Sequence, residues 1–439
     1  MIKKSGDRGP RLSLQKKGMQ ITLPFSGSNA LQTHRIQNAI DTCAAAGGGT
    51  VVLEPGLHRT GTLHLRSNIT LHLEAGAVLQ GSEDLADYPP LAFQHNEFPV
   101  TRALLWVMGE QNIALTGFGR IDFRGSSFMQ LDTPDTRGPG GDDLSRLPEV
   151  LRREAVVVAN ERPTQPVFLH ECGRVRIENI ELVDAPCWTI TLSCCNDAQV
   201  RGISVRNSLV VPNCDGVNIS ASRNVTVTGC NFHCADDCVA VVGITRWEQV
   251  CENILISDCT MVSRSCAVRV GHLASRVRNV QIHHLILSEG NRGIGIFAGD
   301  GGSVENIQAD HLILKTHLYA GFWWGKGEPL ILSAADSSGT IRNVRVSQVL
   351  AHSEGSIVIA GKDDNITGIV LEDWDLTLVP CETRRHLGNW IDLQPAECRP
   401  LKANRFPWLY REGVEEITLR EVQVHPGAAE AAGYQISPL

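Results

Sequence analysis

The sequence has little aromatic surface, no long apolar run and no block of one charge, and each shortage excludes something. Aromatic residues make up 5% of the chain, so a site that stacks rings on a ligand has few residues to draw on. No apolar run reaches the roughly 18 residues of a membrane span. The opening MIKKSGDRGPRLSLQKKGMQ is basic but has no apolar stretch of the secretory kind. Residues 1–27 read as a tail, and the chain as a soluble cytoplasmic protein, with secretion open if a native leader has been removed. With a net charge of -8 and no basic stripe, neither a nucleic-acid nor a membrane partner is expected. The 14 cysteines show no zinc spacing, and most fall inside strand-like runs, where small thiols pack in a core. No metal or other cofactor is expected, and the oligomeric state is not legible.

What is present is a repeat. An Asn followed by an alternating apolar run occurs at Asn68, Asn112, Asn179, Asn224, Asn253, Asn279, Asn306, Asn343 and Asn365. From Asn224 onward the steps are 29, 26, 27, 37 and 22 residues. Each unit holds short Val- and Ile-rich runs split by Gly, Asn, Asp and Ser, which read as strands and turns. A period of this size with no helix between the strands fits one coil of a parallel β-helix. The Asn tolerates a left-handed turn, and its amide can bond the same residue one coil away. The expected fold is therefore all-β: a single right-handed parallel β-helix domain over 28–439.

Two departures from the rhythm carry information. Leu31, Ile36, Ala39 and Ile40 have helical spacing, with Ser28 or Asn29 as the expected cap. Such a helix would cover the open end of the coil, whose strand edges otherwise invite aggregation. Residues 126–160, with a short helix expected near Leu147 to Glu154, and residues 381–412 read as loop insertions that wall a site.

The densest chemical signal is PNCDGVNIS followed by CADDCVAV. Asp215 and Asp236 are 21 residues apart, close to one coil, and stacked coils lie about 4.8 Å apart. Asp215, Asp236 and Asp237 then form one patch. Crowded carboxylates raise at least one pKa, giving a protonated acid beside ionised partners, as glycoside hydrolysis requires. The same cluster suits calcium, or polar turns, equally well on spacing alone.

These motifs resemble glycoside hydrolase family 28, the polygalacturonase and rhamnogalacturonase group. AAAGGGTVVLEPGLHRTGTLHLRSNITLHLEAGAVLQGS is similar to that family's first coil, and RPTQPVFLHECGRVRIENIELVDAPCWTI to its middle section, with Pro186, Cys187 and Trp188. The Asn-Thr-Asp-Gly motif matches Asn213, Cys214, Asp215 and Gly216, with Cys for Thr, and Asp-Asp-Cys matches Asp236, Asp237 and Cys238. The resemblance covers about residues 28–375. It implies an inverting hydrolase with Asp236 as general acid, and with Asp215 and Asp237 holding and activating water. Inversion generally separates acid and base by about 6.5–9.5 Å. It implies no cofactor, and an oligosaccharide of pectin type or of a related plant-cell-wall kind. Exo-action is expected, with the two insertions closing one end of the groove.

Two family features are missing. The Gly-His-Gly histidine falls on Cys266, leaving His272 as a candidate substitute. The Arg-Ile-Lys pair falls on Gly295 and Phe297. Candidate substrate-binding residues are therefore Asn213, Arg269, His272, Arg292, Trp323, Trp324, Lys326 and Glu328. Paired Trp beside Lys and Glu suits a sugar ring. Trp247 is a further stacking candidate, Trp188 reads as core packing, and His283, His284, His311 and His317 as solvated surface residues. Two other readings stay open: a β-helix lyase or epimerase with calcium on the Asp cluster and Arg269 as base, and a non-catalytic carbohydrate-binding β-helix.

Overall fold

The computed structural model describes residues 18–91, 93–94, 98–132, 144–149, 155–159, 161–244, 249–320, 324–335, 338–388, 390–395, 398–400, 406–414, 416–425 and 434–435. Trp247, Trp323 and the 150–154 part of the expected helix lie outside them.

The chain is a right-handed parallel β-helix whose coils pair in parallel along three faces. The first face runs through strands such as Arg223–Thr228, the second through Asn231–Cys234 and the third through Val239–Val242. Alternation decides what is buried. On the third face Val217, Ile219, Val239 and Val241 point into the apolar core, so Asn218, Ser220, Ala240 and Val242 point out of the coil. Thirteen cysteines are free among the described residues, and all of these but Cys194 are buried.

The asparagine repeat marks the entry to the first face. Asn253, Asn279 and Asn306 each donate Nδ2 to the Oδ1 of the Asn one coil back, at 3.1 Å, and Asn343 does so at 3.2 Å. All have positive φ. Two members of the sequence pattern are not part of this ladder. Gly368, not Asn365, follows Asn343 in register, because Arg342 pairs with Thr367 and Val344 with Ile369. Asn365 instead caps a turn, accepting from Lys362 N at 2.8 Å. Asn179 sits in a second left-handed turn, after the first face, in line with Asp258 and His284.

The N-terminal region differs from expectation in detail. Residues Met19–Leu23, read as tail, form a strand in parallel register with Gly49–Leu53. The helix is Thr33–Ala45, and it buries Ile36, Ala39, Ile40 and Cys43 against the first coils. Its N-cap is Gln32, without a side-chain cap bond; Leu31 lies outside it and is exposed. Ser28 accepts instead from Ala30 N, at 3.1 Å.

Both insertions leave the coil at the turn between the second and third faces. The first is a ribbon of Met129–Asp132 against Ala155–Val158, with a 3-10 turn at Leu144–Arg146 where a helix had been expected slightly later. The second holds helix Glu382–Leu387 and a ribbon of Trp390–Asp392 against Cys398–Pro400. It ends earlier than residue 412, since Leu409–Glu412 returns to the third face beside Ile357–Ala360.

Replacing Asn279 by Ala removes two ladder bonds and leaves a Cβ residue in a left-handed turn. A loss of about 1–3 kcal/mol is expected in urea unfolding. Asn279→Gly, which keeps the backbone conformation at little steric cost, should lose less than the Ala variant.

Candidate active site

The carboxylate cluster is a product of coil register. Val217 pairs with Val239, and Gly216 N donates to Asp237 O at 2.9 Å, so Asp215 lies opposite Asp237. Spacing alone had set Asp215 against Asp236. Asp236 instead precedes the aligned position and is the more exposed member, while Asp215 and Asp237 are buried. One oxygen from each of the three lies within 4.8 Å of the others.

The surrounding sequence holds these positions tightly. A Cβ on Gly216 would meet Cys238 O at 2.4 Å, so only glycine lets the two coils close here. Cys214, in the place of the family's Thr, donates its thiol to Ala185 O at 2.9 Å and keeps a donor at that position. Asn213 has positive φ, and its Oδ1 accepts from Arg162 Nη2 at 3.0 Å. Arg162 also donates to Pro186 O at 2.9 Å and Pro212 O at 2.7 Å, which clamps both coils beneath Asp215. Nothing in the sequence spacing marks Arg162, which lies far from the motif along the chain.

The three carboxyl groups are electrically different. Asp237 accepts from Cys266 N at 3.1 Å through Oδ1 and from Arg269 Nε through Oδ2. The Asp237–Arg269 pair is buried. Asp236 Oδ1 accepts from Asp237 N at 3.0 Å, and Asp236 O accepts from Ser263 Oγ at 2.8 Å. Burial and then the Asp237 charge push Asp236 well above the usual carboxylate range, against the opposing pull of Arg269. Burial, Asp236 and Asp237 push Asp215 up in the same way. Asn218 lies near enough to Asp215 to ease its ionisation slightly, yet its amide completes no hydrogen bond. Asp215 Oδ1 has no hydrogen-bond partner. The result is one anchored carboxylate beside two groups that favour the proton-bearing form. The guanidinium already on Asp237 makes the cluster a poor calcium cage, because a cation and two donors occupy its best-placed oxygens.

Of the other candidates, Arg269 is in the cluster, gripping Asp237. His272 and Trp324 come together as a stacked pair, with ring centroids 5.8 Å apart and an interplanar angle of 4°. Both are partly exposed just beyond the Arg269 strand. Arg292 and Glu328 require correction as substrate-binding residues. Arg292 is 0% exposed and lies 3.4 Å from both Glu328 and Asp392, with Nη2 also donating to Asp392 O at 2.6 Å. Glu328 is buried and accepts from Lys326 N at 2.7 Å. These charges tie the second insertion to the coil. Lys326 is likewise buried, in the wall, where its carbonyl accepts from Arg384 at 2.7 Å. Cys266, at the family's His position, is buried, and burial followed by Asp237 raises its thiol, so it adds no positive charge.

The outward residues of the third face are covered at both ends. Toward the N-terminus, Phe168 packs under Leu91, Val100 and Ala103. Toward the C-terminus, Phe297, Ile331 and Val358 pack under Ile391 and Leu393 of the second insertion. Between them lie the coils of Thr191, Asn218, Ala240 and Arg269, three steps or about 14 Å. The first insertion also crosses to the far wall. Leu147 is buried among Leu318, Ala320, Cys381 and Leu387, and Arg146 Nη1 reaches Leu387 O at 3.5 Å.

A stability test follows from the raised carboxyl pKa values. A group raised on folding contributes fully below its unfolded value, about pH 4, and loses that contribution as pH rises through its folded value. Asp215→Asn removes that loss. Its melting temperature should gain on wild type as pH rises above about 4, by thermal melts at a series of pH values. A constant deficit at every pH would contradict the assignment.

Comparison with known proteins agrees with this site. The sequence profile described as Glycosyl hydrolases family 28 matches residues 154–385. A probable polygalacturonase from Vitis vinifera is 24% identical over 315 residues, 67% of this chain and 59% of its own length. The chain therefore spans somewhat over half of that relative. Among solved structures, a hyperthermoactive exopolygalacturonase from Thermotoga maritima superposes with a TM-score of 0.62 at 19% identity, covering 82% of this chain and 87% of that one. A family 28 exopolygalacturonase from Yersinia enterocolitica gives 0.59 at 16% identity, over 92% and 78%. At these identities the structural likeness concerns the fold. The profile spans more than half of the chain and includes both aspartate motifs, and on that match the protein belongs to glycosyl hydrolase family 28.

Proposed function

We propose that this protein is an inverting glycoside hydrolase that acts from a chain end on pectin-type or related plant-cell-wall oligosaccharides. The observation that carries the reading is the division of protons within one 4.8 Å cluster: Asp236 and Asp215 raised, Asp237 anchored by Arg269 and Cys266. Asp236, the most exposed of the three, gives its proton to the glycosidic oxygen as the bond to the anomeric carbon breaks. A water held between Asp215 and Asp237 loses a proton to the Asp237 carboxylate as its oxygen attacks the opposite face of the sugar. Two hydrogen bonds of roughly 2.8 Å from one water span an oxygen pair of this separation. The proton gained by the base and the proton lost by Asp236 are then exchanged with solvent.

The cluster is tighter than the roughly 6.5–9.5 Å usual between acid and base in inverting enzymes. Inversion is therefore assigned from the family resemblance, and proton NMR of the first-formed anomer decides it. Retention would overturn that part of the reading. Exo-action is supported by the covered ends of the third face and by the Leu147 crossing, which leave a short groove. The names of the polygalacturonase relatives support a pectic substrate class.

Asp236→Asn should lower the rate at least 10²-fold, the low end of general-acid contributions, with the fold intact by circular dichroism. Equal turnover by the two proteins would remove Asp236 as the acid. In wild type, kcat/KM should fall on the alkaline side as Asp236 loses its proton, and a chelator should have no effect. Loss of activity with chelator, together with an ultraviolet-absorbing product, would favour a lyase. Leu147→Asp places a charge in the apolar contact between the insertions. It should shift products from single end units toward internal cleavage, read by chromatography of the early digest.

A further inference from the structure

The outward side of the third face holds a group of neutral polar atoms that nothing in the protein satisfies. Thr191 Oγ1, both amide atoms of Asn218, Ser220 Oγ and Gln165 Nε2 are buried without a hydrogen-bond partner, as is Asp215 Oδ1. Thr191 and Asn218 are register partners on adjacent coils, and Ser220 lies two residues beyond Asn218 on the same side of its strand. The inward neighbours Ile190, Leu192, Val217 and Ile219 belong to the core, so these side chains point away from it, on the coil of Asp215 and the one before it. Buried polar groups are nearly always paired, and each one left unpaired costs stability. Several together, beside raised carboxyl groups, mark a place where a ligand supplies the missing partners.

Charge says what kind of ligand. The five buried arginines among the described residues are all committed to the protein: Arg162 to Asn213, Arg264 to Glu289, Arg269 to Asp237, Arg292 to Glu328 and Asp392, Arg384 to main-chain carbonyls. On the C-terminal side of Arg269 the face turns apolar. A Cβ on Gly295 would meet the Phe297 ring at 2.5 Å, so that ring fills the space a longer side chain at 295 would use. Among the described residues the site therefore sets three carboxyl groups against one guanidinium, and that guanidinium is already paired.

We propose that Thr191, Asn218 and Ser220 form a subsite for an uncharged sugar ring, recognised through its hydroxyl groups, so that the unit beside Asp215 carries no carboxylate. The hydroxyls donate to Asn218 Oδ1 and accept from its Nδ2, while Thr191 and Ser220 serve either way. A site built for hydroxyl hydrogen bonds discriminates strongly, because its groups are left unpaired by a poor fit. A uronate entering the same place brings its charge beside the Asp237 carboxylate, and every buried guanidinium among the described residues is already committed.

This inference rests on the site being that of a glycosidase, and its test separates the two. Matched oligosaccharides that differ only at C6, carboxylate against hydroxymethyl, are titrated by calorimetry into Asp236→Asn, and their turnover is followed with wild type. The neutral member should bind at least about tenfold more tightly. Asn218→Leu and the near-isosteric Thr191→Val, each added to Asp236→Asn, should lose that binding about tenfold or more. Thr191→Val should melt no lower than its parent, since Thr191 Oγ1 makes no hydrogen bond within the protein. Neutral binding that depends on Asn218 without turnover by wild type leaves the subsite standing and removes the hydrolase reading. Tighter binding of the carboxylate member, binding indifferent to both substitutions, or no binding of either member overturns the subsite.

Discussion

The ion pair between Asp237 and Arg269 is the contact on which the site depends. Three carboxyl groups drawn into one buried patch repel one another, and an isolated buried charge is strongly disfavoured. Arg269 arrives from the next coil with its guanidinium on Asp237, and Cys266 N supplies a second donor from the same strand. With one member fixed in this way, Asp215 and Asp236 are left where burial and a neighbouring negative charge favour their protons. The pair exists because the coils stack in strict parallel register, which puts Ala240 beside Arg269 and Asp215 opposite Asp237.

That register was only partly legible in the sequence. The repeat phrase, the alternating runs and the absence of helical spacing between them were enough for a β-helix, and the order of the two aspartate motifs was enough for the family. The 21-residue spacing suggested Asp215 over Asp236. The strands fix a different pairing, because a coil is counted from paired strand residues and not from motif to motif. The same distinction explains Asn365, which continues the sequence phrase but leaves its ladder position to Gly368. The role of Arg162 was not legible, since its clamp on Asn213 joins residues that only the folded coil brings together.

Charged residues near a motif proved a weak guide to ligand contacts. Arg292 and Glu328 lie where a substrate-gripping pair would be sought, yet they join Asp392 to fasten the second insertion over an apolar stretch of the third face. Sequence proximity cannot say whether a cation faces a groove or a neighbouring loop; burial and partners do. The more informative residues are quiet in sequence. Thr191, Asn218 and Ser220 sit at alternate positions in ordinary-looking strands, and only their lack of partners sets them apart.

The site works through unequal proton affinities within one cluster. Carboxyl chemical shifts of ¹³C-labelled aspartate, assigned through single Asp→Asn variants and followed by NMR from acid to alkaline pH, measure those affinities at Asp215, Asp236 and Asp237 directly. Asp236 and Asp215 should titrate clearly above the ordinary aspartate value of about 3.9. Three carboxyl groups that all ionise at or below that value would leave the site with no general acid and would contradict the mechanism.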